Sequence, residues 1–133
     1  MGIKFRIFIV DDELAIAEIM EAYLRRFIDD FEIIHAKNGH EAILLAEKMS
    51  KEDTRPHITL MDLKMPVMDG ITCTERLAEY GITNIHILSA YVNPSLISEA
   101  VQAGAKGLMQ KSEGLRTVAI KVAEMLRSMP KPI

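Results

Sequence analysis

The chain has one cysteine, no long apolar run and no surplus of basic residues, and each shortage removes a class of protein. A lone Cys73 rules out an internal disulfide and any zinc cluster built on cysteine thiolates. His35, His40, His57 and His86 are scattered without metal-ligand spacing and read as structural. Nowhere does apolar sequence approach the roughly 20 residues needed to cross a bilayer. The N-terminal stretch carries Lys4 and Arg6 inside apolar sequence and lacks the pattern of a signal peptide. A cytoplasmic location with no membrane partner is expected. Against 16 Lys and Arg stand 19 Asp and Glu, a formal charge of −3. A phosphate backbone needs a basic face, so direct binding of nucleic acid by this domain is not expected.

What is present is an ordinary globular composition: 133 residues, 49% of them apolar and 26% charged. One domain over residues 1–133 is expected, with a core from about 4 to 129 and residues 130–133 as a tail or the start of a linker. Pro130 and Pro132 stop any helix there. Phe5 to Val10 reads as a nearly all-apolar strand, suited to cover on both faces. The following helix carries Leu14, Ala17, Met20, Leu24 and Phe27 at three- and four-residue spacing. Phe31 to Ala36 is a second strand. Asn38 with Glu41 forms a capping-box pattern for a helix bearing Ala42, Leu45, Ala46 and Met49. His57 to Met61 is the third strand, and a helix from about Ile71 to Tyr80 stops at Gly81.

Asn84 to Leu88 is the fourth strand. Asn93-Pro94 opens a helix whose Leu96, Ile97, Ala100 and Val101 face inward, and Gly104 closes it. Gly107 to Gln110 is a short fifth strand. Ser112 is placed to cap the last helix, with Leu115, Val118, Ala119, Val122, Leu126 and Met129 as its inward stripe. Strict strand–helix alternation predicts an α/β fold, a five-stranded parallel sheet with helices on both faces. Right-handed crossovers leave few topologies. The flavodoxin-like order 2-1-3-4-5 is the common one, with its crevice where strands one and three part.

That topology gives the polar residues their meaning. The apolar run Ile58-Thr59-Leu60-Met61 stops abruptly at Asp62, and Asp11 and Asp12 follow the first strand. Ser89 follows the fourth strand and Lys111 the fifth, so all five residues converge on one rim. Taken singly, each has a plainer reading: turn formers, a loop serine, a solvated lysine. The coincidence of four strand ends lifts the set above these. Like-charged pairs about 4 Å apart cost on the order of a few kcal/mol, which a hard divalent cation removes. Acids, metal, hydroxyl and lysine together suit the acceptance of a phosphoryl group by a carboxylate.

Asp11-Asp12, Asp62 followed by Met65-Pro66 and Asp69-Gly70, Ser89-Ala90 and Lys111 resemble the receiver domain of two-component response regulators, the CheY-like family. The resemblance runs from about Lys4 to Met129. It implies that Asp62 is the phospho-acceptor, taking its phosphoryl group from a phosphohistidine on a histidine kinase or histidine phosphotransfer protein. It implies Mg2+ held directly by Asp12, through water by Asp11, and by Asp62 and the backbone carbonyl of Lys64. Ser89 matches the switch hydroxyl and Lys111 the lysine that pairs with the phosphoryl group. Signalling would pass through the face of the fourth helix, fifth strand and fifth helix to an effector or output domain, the chain being either a stand-alone receiver or the N-terminal part of a DNA-binding transcription regulator, with phosphorylation-dependent dimerisation open. Such a protein is a switch, not an enzyme acting on other substrates.

Two positions depart from the family pattern. Leu108 stands where an aromatic rotamer switch is usual, so a weaker gap between states is expected. Ser112 stands where proline usually follows the lysine. Lys64 and Tyr91, ordinary surface residues at first sight, lie two residues past Asp62 and Ser89. In receiver geometry they flank the path of a hydrolytic water and are expected to prolong the phosphorylated state. The competing readings are an aspartate-nucleophile phosphohydrolase and a flavodoxin. The first needs its nucleophile after strand one in an Asp-x-Asp pattern, and the second a phosphate loop free of acids. Strand one is followed instead by Asp11-Asp12-Glu13.

Overall fold

The computed structural model describes residues 4–132. Met1, Gly2, Ile3 and Ile133 lie outside them, so the expected domain ends at 1 and 133 are not addressed. Five strands, β1 (Phe5–Val10), β2 (Phe31–Ala36), β3 (Ile58–Met61), β4 (Ile85–Ser89) and β5 (Gly107–Gln110), alternate with five helices. The helices are α1 (Leu14–Leu24), α2 (Gly39–Glu52), α3 (Gly70–Ala78), α4 (Pro94–Ala103) and α5 (Leu115–Arg127). All strand pairs are parallel, in the expected order β2-β1-β3-β4-β5. No helix among the described residues is long and apolar enough to cross a membrane.

Successive strand side chains point to opposite faces, so one apolar run feeds two cores. Ile7, Ile9, Leu60 and Leu88 meet Met20 and Leu24 of α1 and Val118 and Val122 of α5. Phe8, Val10, Met61 and Ile87 meet Ala42 and Ala46 of α2, Cys73 and Leu77 of α3 and Ala100 of α4. Each large side chain fully buried in these layers contributes about 1.5–3 kcal/mol.

Three local expectations need correcting. In α4 only Ala100 of the four expected residues is buried; Leu96 is half-buried, and Ile97 and Val101 are exposed. The helix lies towards the sheet edge, against α3, so only a narrow stripe of small side chains meets the core. In α1, Leu14 at the first turn is exposed while Ile16 is buried. The helix ends at Leu24, and Phe27 packs half-buried from the turn beyond it. At the last helix, Ser112 does not cap: Lys111–Glu113 form a 3-10 turn, and α5 starts after Gly114 with no side-chain cap. Gly114 has φ of 93°, a conformation that suits glycine and not serine.

Other caps hold. The Asn38 side chain accepts from the Glu41 N–H at 2.8 Å. The Glu41 carboxylate, however, reaches back to the Lys37 N–H at 3.2 Å, one residue earlier than a standard box. Asn93 accepts from the Leu96 N–H at 2.9 Å, with Pro94 at the first turn. Strands β3 and β4 lie one residue later at one or both ends than expected, which makes Ser89 the last residue of β4.

Candidate functional site

The acids are positioned by the sheet. Past the end of β1, the Asp11 N–H still donates to the Ala36 carbonyl, and the Asp62 N–H to the Val10 carbonyl, both at 3.0 Å. The register Val10 to Met61 therefore delivers Asp11 and Asp62 side by side. Both are buried, at 2% and 5% exposure, while Asp12 points to solvent. Asp11, Asp12 and Asp62 each offer a carboxylate oxygen within 4.8 Å of the others. The donor set is all oxygen, which suits a hard divalent cation.

Lys111 leaves β5 and reaches inward. Its Nζ lies 2.8 Å from Asp11, and 3.7 Å from both Asp62 and Glu13. Ser89 Oγ donates to Asp62 Oδ1 at 3.0 Å. Thus the structure brings together Asp11, Asp12, Asp62, Ser89 and Lys111, as the sequence implied. Burial pushes the Asp62 carboxyl above its usual range, and the neighbouring Asp11 charge pushes it further; Lys111, Ser89 and the Lys64 backbone N–H oppose this. Asp11 is also raised by burial, against its bonds to Lys111 and to the Glu13 N–H. For Lys111, burial pulls downward, but the hydrogen bond and charge of Asp11, with the charges of Asp62 and Glu13, outweigh it and raise the ammonium. One lysine shared among these acids leaves net negative charge in a poorly solvated place.

Sequence reading missed three contributors. Glu13 joins the lysine's ring of acids, and its N–H donates to Asp11 Oδ1 at 2.9 Å. His35 Nε2 lies 2.8 Å from the Asp11 carbonyl oxygen; a carbonyl only accepts, so Nε2 carries the proton. Gly70 is the third. Its N–H donates to the Leu63 carbonyl at 2.9 Å, and a Cβ there would sit 2.1 Å from the Asp62 carbonyl oxygen. The start of α3 folds onto the end of β3 too closely for any side chain. The Asp69-Gly70 pair was legible as a helix start, but this backbone contact is tertiary.

The loop between them is unusual. Val67 has φ of 74°, and the Met68 N–H donates to the Pro66 carbonyl at 2.8 Å, a γ-turn of the rare positive-φ kind. Val67 is 87% exposed. Lys64 Nζ stands 4.6 Å from the centre of the Tyr91 ring, a cation–π contact joining the loops after β3 and β4. Leu108 is half-buried, opposite Ile87 in the β4–β5 register. Two hollows of about 380 and 430 Å³ open on the described surface, under α5 beside His86 and beside Phe27. Neither is lined by an acid of the cluster.

The topology and the rim define a class. The chain belongs to the response regulator receiver domain family, whose sequence profile it matches over residues 7–123. It is 34% identical over 114 residues to the transcriptional regulatory protein YdfI of Bacillus subtilis, covering 85% of this chain and 51% of that protein. It is 32% identical over 128 residues to protein-glutamate methylesterase/protein-glutamine glutaminase 2 of Carboxydothermus hydrogenoformans, covering 92% of this chain and 33% of that protein. Among solved structures, the response regulator domain of Thermotoga maritima CheB superposes with a TM-score of 0.76 at 24% identity, covering 94% of this chain and 95% of that one. That likeness establishes the shared fold. The chain spans about half or less of the length of these two curated relatives.

Proposed function

We propose that Asp62 is the phospho-acceptor of this receiver domain. An Asp62 oxygen attacks the phosphorus of a phosphohistidine on a histidine kinase or histidine phosphotransfer protein. The P–N bond breaks, an acyl phosphate forms, and the imidazole leaves. The observation that carries this is the placement of Asp62: buried, bonded to Ser89 Oγ at 3.0 Å and 3.7 Å from the Lys111 ammonium. Lys111 and Ser89 supply the cation and hydroxyl that a new phosphoryl group needs. Asp11, Asp12, Asp62 and the Lys64 carbonyl would hold Mg2+, which supplies charge neutralisation to the crowded acids and the incoming phosphoryl oxygens. Asp12, the exposed acid, suits direct coordination; Asp11 is engaged by Lys111.

The domain acts as a cytoplasmic switch and not on external substrates. The receiver-family match over residues 7–123, and Asp11-Asp12-Glu13 after β1 where a phosphohydrolase needs Asp-x-Asp, favour this over a phosphohydrolase. Output passes through α4, β5 and α5 to an effector or output domain, with no direct contact to nucleic acid from this domain and with dimerisation on phosphorylation open. Ser89 Oγ already faces Asp62, so the travel expected of a switch hydroxyl is short here. With Leu108 in place of an aromatic ring, state change would fall on the backbone from Ala90 to Asn93, and the gap between states is small.

The test is incubation with acetyl phosphate and Mg2+. Intact mass should rise by one phosphate, with an alkali-labile bond, and Asp62→Asn should abolish it. Full labelling of the Asn variant would remove the assignment. The Lys64–Tyr91 contact supports slow hydrolysis of the phosphorylated form, by shielding the approach of water. Decay should accelerate in Lys64→Ala and in Tyr91→Ala, followed by mass spectrometry after the donor is removed; unchanged decay in both would discard the shield.

A further inference from the structure

We infer that Glu113 is a positioning residue for Lys111; the inference rests on the reading of Lys111 as the phosphoryl-pairing lysine. Peptide bonds among the described residues are all trans, including the one joining Lys111 to Ser112. Something other than a proline must therefore set the direction in which Lys111 leaves the backbone. Lys111 opens a 3-10 turn enclosed on both sides by one reciprocal pair. The Glu113 carboxylate accepts from the Gln110 N–H at 2.7 Å, and the Gln110 side chain accepts from the Glu113 N–H. Ser112 Oγ donates to Gln110 Oε1 at 3.2 Å, and the Gly114 N–H closes the turn on the Lys111 carbonyl at 3.0 Å. The other oxygen of Glu113 pairs with Lys121 on α5.

One carboxylate thus ties the end of β5 to α5, and Lys111 is the residue held between. Gln110 ends an edge strand, so its neighbourhood has sheet support on one side only. Lys111 is largely buried, and its stem threads inward to place Nζ between Asp11 and Asp62. The direction of the Lys111 Cα–Cβ bond decides where Nζ falls. A turn of different pitch would draw the ammonium towards Glu13 and solvent, away from Asp62. Displacement of a catalytic group by an ångström can cost up to about a hundredfold in rate.

The full chain is tested by its labelling rate with acetyl phosphate and Mg2+, and by its affinity for beryllofluoride followed by NMR. Glu113→Ala should slow labelling and weaken beryllofluoride binding by about tenfold. Glu113→Gln, whose amide oxygen still accepts from the Gln110 N–H, should stay within about twofold of the parent. In the Lys111→Met background, Glu113→Ala should add no further loss, because the group it positions is gone. If Glu113→Ala fails to fold, Glu113→Asp, too short to hold both Gln110 and Lys121, takes its place with the same expected loss. A lower Tm with labelling at the parent rate would make Glu113 a loop staple and overturn the inference. An equal loss in the Lys111→Met background would overturn it as well. A parent protein that is not labelled on Asp62 would be a different failure, that of the reading beneath it, and would take the inference with it.

Discussion

The two rims of the sheet are built on opposite terms. At the amino-terminal rim the polar side chains of Arg6, Arg55, His57 and Asn84 are matched. Arg6 donates from Nε to the Arg55 carbonyl at 3.0 Å, and its backbone N–H donates to His57 Nδ1 at 2.8 Å. Arg55 in turn reaches the Tyr80 carbonyl at 2.6 Å, Ser50 Oγ at 2.9 Å and Asp53 at 3.0 Å. Asn84 donates to the His57 carbonyl at 2.8 Å. At the carboxyl rim three acids, Asp11, Asp62 and Glu13, share one lysine beside the exposed Asp12, and both buried carboxyls are pushed towards their neutral forms. One rim holds the loops together; the other leaves its acids short of positive charge, at a cost in stability. A fold that places all strand ends of one polarity together can divide these tasks between its two ends.

Breaking the carboxyl rim at its backbone should have the largest effect. Gly70→Ala forces a Cβ to 2.1 Å from the Asp62 carbonyl, so α3 must move off β3. A loss of about 3 kcal/mol is expected by urea denaturation, with weaker beryllofluoride binding in whatever remains folded. At the other rim, Arg55→Ala should cost about 2 kcal/mol, because the Tyr80 carbonyl and the α2–β3 turn lose their donor. Acetyl phosphate labelling should be unaffected by that change. A loss of labelling comparable to the loss of stability would show that the two rims are coupled and not divided.

Charge removal should have the opposite sign at the carboxyl rim. Asp62→Asn relieves both burial of a charge and repulsion from Asp11, so the metal-free variant should melt about 3 °C above the parent. Added Mg2+ should narrow that difference, because it raises the parent more. A variant that melts below the parent without metal would contradict the electrostatic account of this rim.

The subtlest difference is in pH dependence. His57 is held below its ordinary 6.5 by burial and by Arg6, and its Nδ1 accepts a backbone hydrogen bond that a proton would break. The unfolded chain then binds protons more readily, so this stability is present above pH 6.5 and is lost as pH falls through the folded value. Asp11 and Asp62 run the other way. Their raised carboxyls favour the folded state below about 3.8, and that gain is lost as pH rises through their folded values. Melting temperatures from pH 7.5 to 5 should fall less steeply in His57→Gln than in the parent. Equal slopes in the two would place the acid sensitivity elsewhere.

Legibility followed the range of the interactions. The β1 and β2 spans, the α4 cap at Asn93 and the residues at the carboxyl rim were readable because apolar runs, turn residues and strand ends are written in neighbouring positions. Ser112 was a reasonable cap by residue type, yet Glu113 and Gln110 closed a 3-10 turn first and moved the helix start to Leu115. The inward stripe expected for α4 failed for a different reason: periodicity shows which residues share a face, not how much of that face a sheet edge can cover.

The sequence by itself determined the parallel α/β alternation and narrowed the strand order to a few topologies, of which the common one was taken; it also determined the convergence of Asp11, Asp12, Asp62, Ser89 and Lys111, since a parallel sheet places every carboxyl end on one side. Only the tertiary structure decided that Lys111 pairs most closely with Asp11, that Ser89 already holds Asp62, and that Lys64 rests on Tyr91. It alone decided that Gly70 must carry no side chain. These depend on distances of a few ångströms between segments dozens of residues apart, set by how the loops pack on the sheet, and no local pattern encodes them.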